Sequence, residues 1–347
     1  MIALPLVTAE LPGSGGILKS TPEDFRVDEV PAYEPTGAGT HLYVHVEKTG
    51  RTTREVVAAL ARALGVQERE AGYAGLKDRQ AVTTQWLSFP VARDPDPAAL
   101  SGEGFRVLAV SRHGNKLKPG HSRGNVFTLR VRGGEPGAAR ACADALRERG
   151  FANFFGAQRF GREGRNAEIG RGLLTRRDDP EIRRAARDRF LRRLSISAWQ
   201  SAVFNRWLAE RIGDGLFAEA LAGDVMKKLE TGGLFTCEDP TADGPRVRAF
   251  EISPTGPMFG HAMREAAGDA LAREARLLAE EGIGPADLAR GGGEAEGTRR
   301  AARLRVDVEI LPADEGYLAR FTLPKGSYAT VVMSEITKSE VSVPDED

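Results

Sequence analysis

Along the first 135 residues apolar and polar positions alternate in short runs. HLYVHVE (41–47) alternates strictly, while WLSFPV (86–91), FRVLAV (105–110) and NVFTLRVR (125–132) are β-branched or aromatic and bounded by Gly, Pro or Asn. These patterns predict strands. One helix interrupts them: Thr52-Thr53-Arg54-Glu55 fits a capping box, Val56, Val57, Leu60 and Leu64 make an apolar face, and Gly65 supplies the stop. The period then lengthens. A helix is predicted at about 137–149, ending at Gly150, and Ile196, Trp199, Val203 and Trp207 recur every three or four residues, as one helical face does. An Ala-, Leu- and Glu-rich helical pattern runs from about 261 to 282, and GGGEAEG (291–297) reads as a loop or linker. Strand texture returns in RLRVDVEIL (303–311), YLARFTLP (317–324) and TVVMSEI (330–336).

Three strands standing alone at the end of a chain are marginal, so they need partners. The reading is therefore an α+β protein. A discontinuous sheet domain takes residues 1–150 and 301–347, and a largely helical insertion takes 151–300. No internal repeat is visible, and the PDED tail is expected to be frayed and solvated.

Composition narrows the class. The chain has 347 residues, 49 Lys and Arg against 49 Asp and Glu, 41% hydrophobic and 28% charged residues, a globular balance. Cys142 and Cys237 form no C-x-x-C pair, which excludes a disulfide scaffold and a zinc finger. MIALPLVTAELPG lacks a basic n-region, and no apolar run approaches the ~20 residues of a membrane span. A soluble, cytoplasmic protein with no membrane partner is expected, and a monomer. Of five histidines, His41 and His45 could share a strand face, yet no cysteine or carboxylate cluster completes a metal set. Neither H-E-x-x-H nor G-x-S-x-G occurs, and GSGGILKS (13–20) misses a P-loop because Leu18 stands where Gly is needed before Lys19.

Charge is uneven along the chain. From Arg106 to Gly134 there are seven basic residues and no acidic one, and from Arg159 to Arg193 twelve Arg against six acids. Such blocks suit a phosphate backbone, although Arg-rich helices are as often simply solvated faces. Within AGYAGLKDRQAVTTQW (71–86), Asp78 lies in a loop between Lys77 and Arg79. Flanking cations hold a carboxylate ionised, which makes Asp78 a candidate nucleophile or base; an Asp in a Gly-containing turn is more commonly a turn former.

With its neighbours this loop resembles the catalytic motif of the TruD family of tRNA pseudouridine synthases. KSTPEDFRVDEV (19–30), RGNVFTLR (123–130), NFFGAQRFG (153–161) and LPKGSYATVVMSE (323–335) match the same family in order, and SAWQSAVFNRWL (197–208) and ISPTGPMFG (252–260) resemble further blocks. The resemblance spans Lys19 to Glu335. It implies a pseudouridine synthase-type mixed, mainly antiparallel sheet domain with an inserted TRUD domain. The implied activity converts a uridine of tRNA, position 13 in the bacterial members, to pseudouridine without cofactor or metal.

By the same resemblance the catalytic aspartate is Asp78, and Lys19 pairs with it to keep it anionic. Asp78 would attack the sugar C1′ or the uracil ring, or assist glycal formation; the sequence does not choose. Phe25 and Phe127 fall at active-site aromatics, though pattern alone makes both core residues. Asn125 would meet the uracil edge or order the Asp78 loop. Lys77, Arg79 and Arg159 are expected at the RNA, and Tyr328 stands where relatives can carry Phe. A flipped base has lost its stacking, worth about 1–3 kcal/mol, and an aromatic surface replaces it. Two other classes stay in view: an RNA-binding protein without turnover, and a nuclease or phosphotransferase, which would need clustered acids or a P-loop.

Overall fold

The computed structural model describes residues 3–339; the PDED tail lies outside them. In chain order the first part holds β1 (Ile17–Leu18), β2 (Phe25–Pro31), β3 (His41–Lys48), α1 (Thr53–Leu64), β4 (Gly72–Tyr73), β5 (Val82–Phe89), β6 (Phe105–His113), β7 (Ser122–Arg132) and α2 (Pro136–Arg149). A middle part follows with β8 (Phe151–Ala152), α3 (Arg165–Thr175), α4 (Pro180–Arg187), α5 (Arg189–Gly213), β9 (Val225–Lys228), β10 (Leu234–Thr236), α6 (Pro240–Arg248), β11 (Ile252–Met258), α7 (Gly268–Glu280), α8 (Pro285–Arg290) and β12 (Thr298–Ala301). The chain closes with β13 (Arg303–Leu304), β14 (Glu309–Ala313), β15 (Gly316–Pro324) and α9 (Ala329–Thr337).

The main sheet has nine strands, with a path β14-β15-β7-β2-β5-β3-β6, β1 added on β7 and β4 on β5. Every pairing is antiparallel except β2 with β5. Of the returning strands, β15 pairs with β7 over the full register Gly316↔Arg132 to Pro324↔Gly124, β14 adds on the outside of β15, and β13 pairs instead with β8. A separate four-stranded sheet, β10-β9-β11-β12, lies wholly within residues 225–301, beside the helices of that segment.

Side chains alternate across the main sheet. On one face Phe25, Val27, Phe127, Leu129, Val131, Phe321 and Leu323 pack on Ala139, Cys142, Ala143 and Leu146 of α2 and Val332, Met333 and Ile336 of α9. On the same face Leu42, Val44, Val46, Leu87 and Phe89 pack on Val56, Val57, Leu60 and Ala61 of α1. Each fully buried aliphatic or aromatic side chain contributes about 1.5–3 kcal/mol. Between the two helix groups β2 and β5 turn polar groups, Glu29, Thr83 and Gln85, into the same face.

Helix α1 has the expected capping box, Thr52 accepting from the Glu55 N–H and Gly65 closing it at φ 68°. One expectation is corrected: TVVMSEI is the helix α9, not a strand. Val331, Val332, Met333 and Ile336 are all buried, and an apolar run buried on several sides carries no period that tells helix from strand. RLRVDVEIL is interrupted, giving β13 and β14 with an unpaired stretch between. Among the described residues no helix is long and apolar enough to cross a membrane.

Candidate active site

The loop after β4 carries Gly75 to Arg79 and is fastened from beneath. The Lys77 N–H donates to Thr53 Oγ1 at 2.9 Å, Thr53 donates to Gln85 Oε1 at 2.8 Å, and Gln85 Nε2 returns to the Gly75 carbonyl at 3.1 Å. Thr53 and Gln85 are buried, so a dry polar chain ties the loop to the start of α1 and to β5. The buried Lys48 ammonium donates to the Asp78 carbonyl at 2.6 Å.

With its backbone held, Asp78 presents its carboxylate outward. Oδ2 accepts from the Lys19 ammonium at 2.6 Å, and Oδ1 accepts from the Gln80 N–H at 2.9 Å. The Lys19 side chain is 3% exposed and that of Asp78 28%. The carboxylate is therefore paired and oriented yet still open to a partner. Lys19 reaches it from a backbone at φ 60°, the left-handed region that costs a non-glycine residue about 1–2 kcal/mol. Its ammonium also lies 5.1 Å from the centre of the Phe25 ring.

Phe25 and Phe127 are buried, edge to face at 6.4 Å, and Phe127 stacks on Phe321 at 5.5 Å. Both belong to the core; Phe25 borders the Asp78–Lys19 pair through Lys19, and Phe127 packs behind it. Asn125 lies two residues before Phe127 on the same face of β7 and accepts from Lys77 Nζ at 2.8 Å. The Lys77 ammonium is also 2.8 Å from Glu29 Oε2, and both side chains are buried. Arg79 is exposed and its Nε donates to the Gly50 carbonyl. The structure thus gathers Asp78, Lys19, Phe25, Asn125, Phe127 and Lys77 in one place.

Arg159 and Tyr328 form a second group around Phe155, with ring and guanidinium each 5.8 Å from that ring. Arg159 donates to Ser197 and Ser201 of α5. Arg300, which the sequence reading did not single out, covers Phe155 at 3.9 Å and donates to Asn153 O and Oδ1. Burial pushes the Arg300 guanidinium down to about 10. Burial also raises the Tyr328 phenol, against the pull of Arg159 and Arg300. The second group adjoins the first, because Leu323 pairs with Asn125 where β15 runs out toward Tyr328. A cavity of about 580 Å³ opens there, lined by Asn153, Phe155, Lys227, Arg300, Arg305 and Lys325 among others, and every charged side chain on its wall is basic.

The sequence blocks of basic residues resolve differently. In 106–134, Arg106, Arg112, Arg130 and Arg132 are each tied to a carboxylate, and Lys116 donates to the Arg69 carbonyl. Lys118 and Arg123 are exposed and pair with no carboxylate among the described residues. In 159–193, Arg165, Arg171, Arg183, Arg189 and Arg192 meet acids. Two of the histidines stack on aromatic rings, His45 on Trp86 and His113 on Tyr33, both at 4.8 Å. Among the described residues no three of His, Cys, Asp and Glu gather as metal ligands.

The whole architecture has a solved counterpart. A crystal structure from Methanosarcina mazei described as a tRNA pseudouridine synthase D superposes with a TM-score of 0.76 at 23% identity, covering 97% of each chain, and so defines the fold. The family model for tRNA pseudouridine synthase D (TruD) matches residues 2–185 and 185–336. Among curated relatives, tRNA pseudouridine synthase D of Anaeromyxobacter sp. (strain Fw109-5) is 70% identical over 347 residues, covering 100% of this chain and 99% of the relative. That of Thermus thermophilus is 42% identical over 343 residues, covering 97% and 92%. The chain belongs to the tRNA pseudouridine synthase D (TruD) family.

Proposed function

We propose that this protein is a tRNA pseudouridine synthase, an isomerase that converts a uridine of tRNA, position 13, to pseudouridine through Asp78. The observation that carries this reading is the Asp78 carboxylate, fixed by Lys19 at 2.6 Å yet 28% exposed. A stacked uridine hides its glycosidic bond, so the target must swing out of the RNA. The basic wall of the cavity, with Lys118 and Arg123, would hold the phosphates on either side. Phe25 and Phe127 would form the apolar floor under the uracil.

The chemistry breaks the C1′–N1 bond, turns the uracil and forms a C1′–C5 bond, with the C5 proton lost and a proton gained at N1, so the product is an isomer of the substrate. Nothing is oxidised or reduced. A carboxylate suits such a step because it is both a moderate nucleophile and a competent leaving group. Lys19 pairs with it at 2.6 Å and fixes the direction of Oδ2 in a pocket that the RNA closes from water. Residues 1–150 with 301–347 would act as the catalytic part and 151–300 as the RNA-gripping insertion. We further propose that the protein works as a cytoplasmic monomer. Incubation with unmodified tRNA followed by pseudouridine mapping tests the reading: one modified uridine, formed equally in excess chelator, is expected. Salt-dependent binding without product would mark an RNA-binding protein, and chelator-sensitive strand cleavage a nuclease.

A further inference from the structure

Beyond the reacting carboxylate, the site contains a device that fixes which way one amide points. Glu29 of β2 and Asn125 of β7 are directly opposed across the ladder, with their side chains on the face that carries Asp78. The buried Lys77 ammonium lies between them, 2.8 Å from Glu29 Oε2 and 2.8 Å from Asn125 Oδ1. An ammonium has three donors and no acceptor. The asparagine must therefore turn its oxygen to Lys77, whichever way the amide would otherwise sit. Its Nδ2 is left without an acceptor among the described residues, on a side chain that is only half-buried.

We infer that Lys77, charge-balanced by Glu29, locks Asn125 as a donor-only contact to the flipped base, and that this lock lets the enzyme accept uridine and refuse cytidine. The inference rests on the proposed isomerase reading. Uracil offers a carbonyl oxygen at C4 where cytosine carries an amino group, a donor. A free asparagine could rotate its amide by half a turn and accept from that amino group. With its oxygen held by Lys77 it cannot, so cytidine would bring donor against donor in a closed pocket. Sites built around such a hydrogen bond discriminate far more strongly than apolar pockets do. Lys77 and Glu29 act here as positioning residues, since neither touches the substrate.

The test compares two forms of one tRNA, with uridine or cytidine at the target position, so that all other RNA contacts cancel. KM and kcat are measured on the uridine form and Ki on the cytidine form as competitor. The double variant Glu29→Gln/Lys77→Met removes both charges and orphans neither. It should melt close to the parent while the ratio of cytidine Ki to uridine KM falls by at least about tenfold. Lys77→Arg, still a donor, should keep the parental ratio. Asn125→Asp gives Lys77 one oxygen and the base another, and should shift the ratio toward cytidine even if the double variant does not fold. An unchanged ratio in folded Asn125→Asp or in the folded double variant overturns the inference. Absence of any product with the parent enzyme would instead overturn the isomerase reading.

Discussion

Two acid–base pairs in this molecule look alike on paper and are built to opposite ends. Arg211 of α5 and Asp224 are each 3% exposed in the side chain. The guanidinium grips both carboxylate oxygens at 3.0 and 2.7 Å and donates also to Leu216 O and Glu219 O, while the Leu221 N–H takes another lone pair of Asp224. The pair is saturated and closed to solvent. Asp78 meets a single lysine through one oxygen and a single N–H through the other, and remains part open. A structural ion pair fulfils every polar group inside the protein, whereas the pair proposed as reactive is oriented and left incomplete, with lone pairs for an incoming atom. Burial of the cation is common to both, so burial alone does not mark the site.

This contrast can be broken in order of expected effect. Asp78→Asn should lower pseudouridine formation by roughly 10³-fold or more with tRNA binding and melting temperature retained, read by single-turnover assay and filter binding. Arg211→Met should do the reverse, leaving a buried carboxylate unpaired at a cost of about 3–5 kcal/mol in denaturant titration, while turnover per folded molecule stays near parental. Lys19→Met should fall between them, with kcat down roughly 10²-fold and KM little changed, because it acts through Asp78. Lys118→Ala should reduce the slope of log K against log salt for tRNA by about 0.7–0.9, leaving kcat intact.

The smallest effect is in acid. Burial alone would raise the Asp24 carboxyl, but hydrogen bonds from Arg132 and the Thr21 N–H outweigh it and hold it below its ordinary 3.8. A depressed carboxylate stabilises the fold above its unfolded value and loses that contribution as the pH falls through the folded one. Thermal melts should therefore decline below pH 3.8, and less steeply in Arg132→Met.

Much of this was legible from the residues. Period-2 runs, the Thr52 capping box and the sealed faces of α1 and α2 all carry their geometry in local sequence. Asp78 stood out through its flanking cations, although it is Lys19, 59 positions away, that pairs with it. Lys77 shows the limit: beside Asp78 it is expected at the RNA, yet the fold buries its side chain between Glu29 and Asn125. Strand pairing that opposes residues 29 and 125 has no local signature, and neither has the packing of Arg300 over Phe155. The helix α9 misled for the opposite reason, its apolar residues being buried too evenly for any period to show.

The central claim is that one half-open carboxylate, held by Lys19, performs the isomerisation. The most direct measurement follows a single turnover of unmodified tRNA with parent and Asp78→Asn protein at matched saturation. The account predicts rapid pseudouridine formation with the first and none above background with the second, both binding the RNA alike. Equal rates for the two proteins would contradict it.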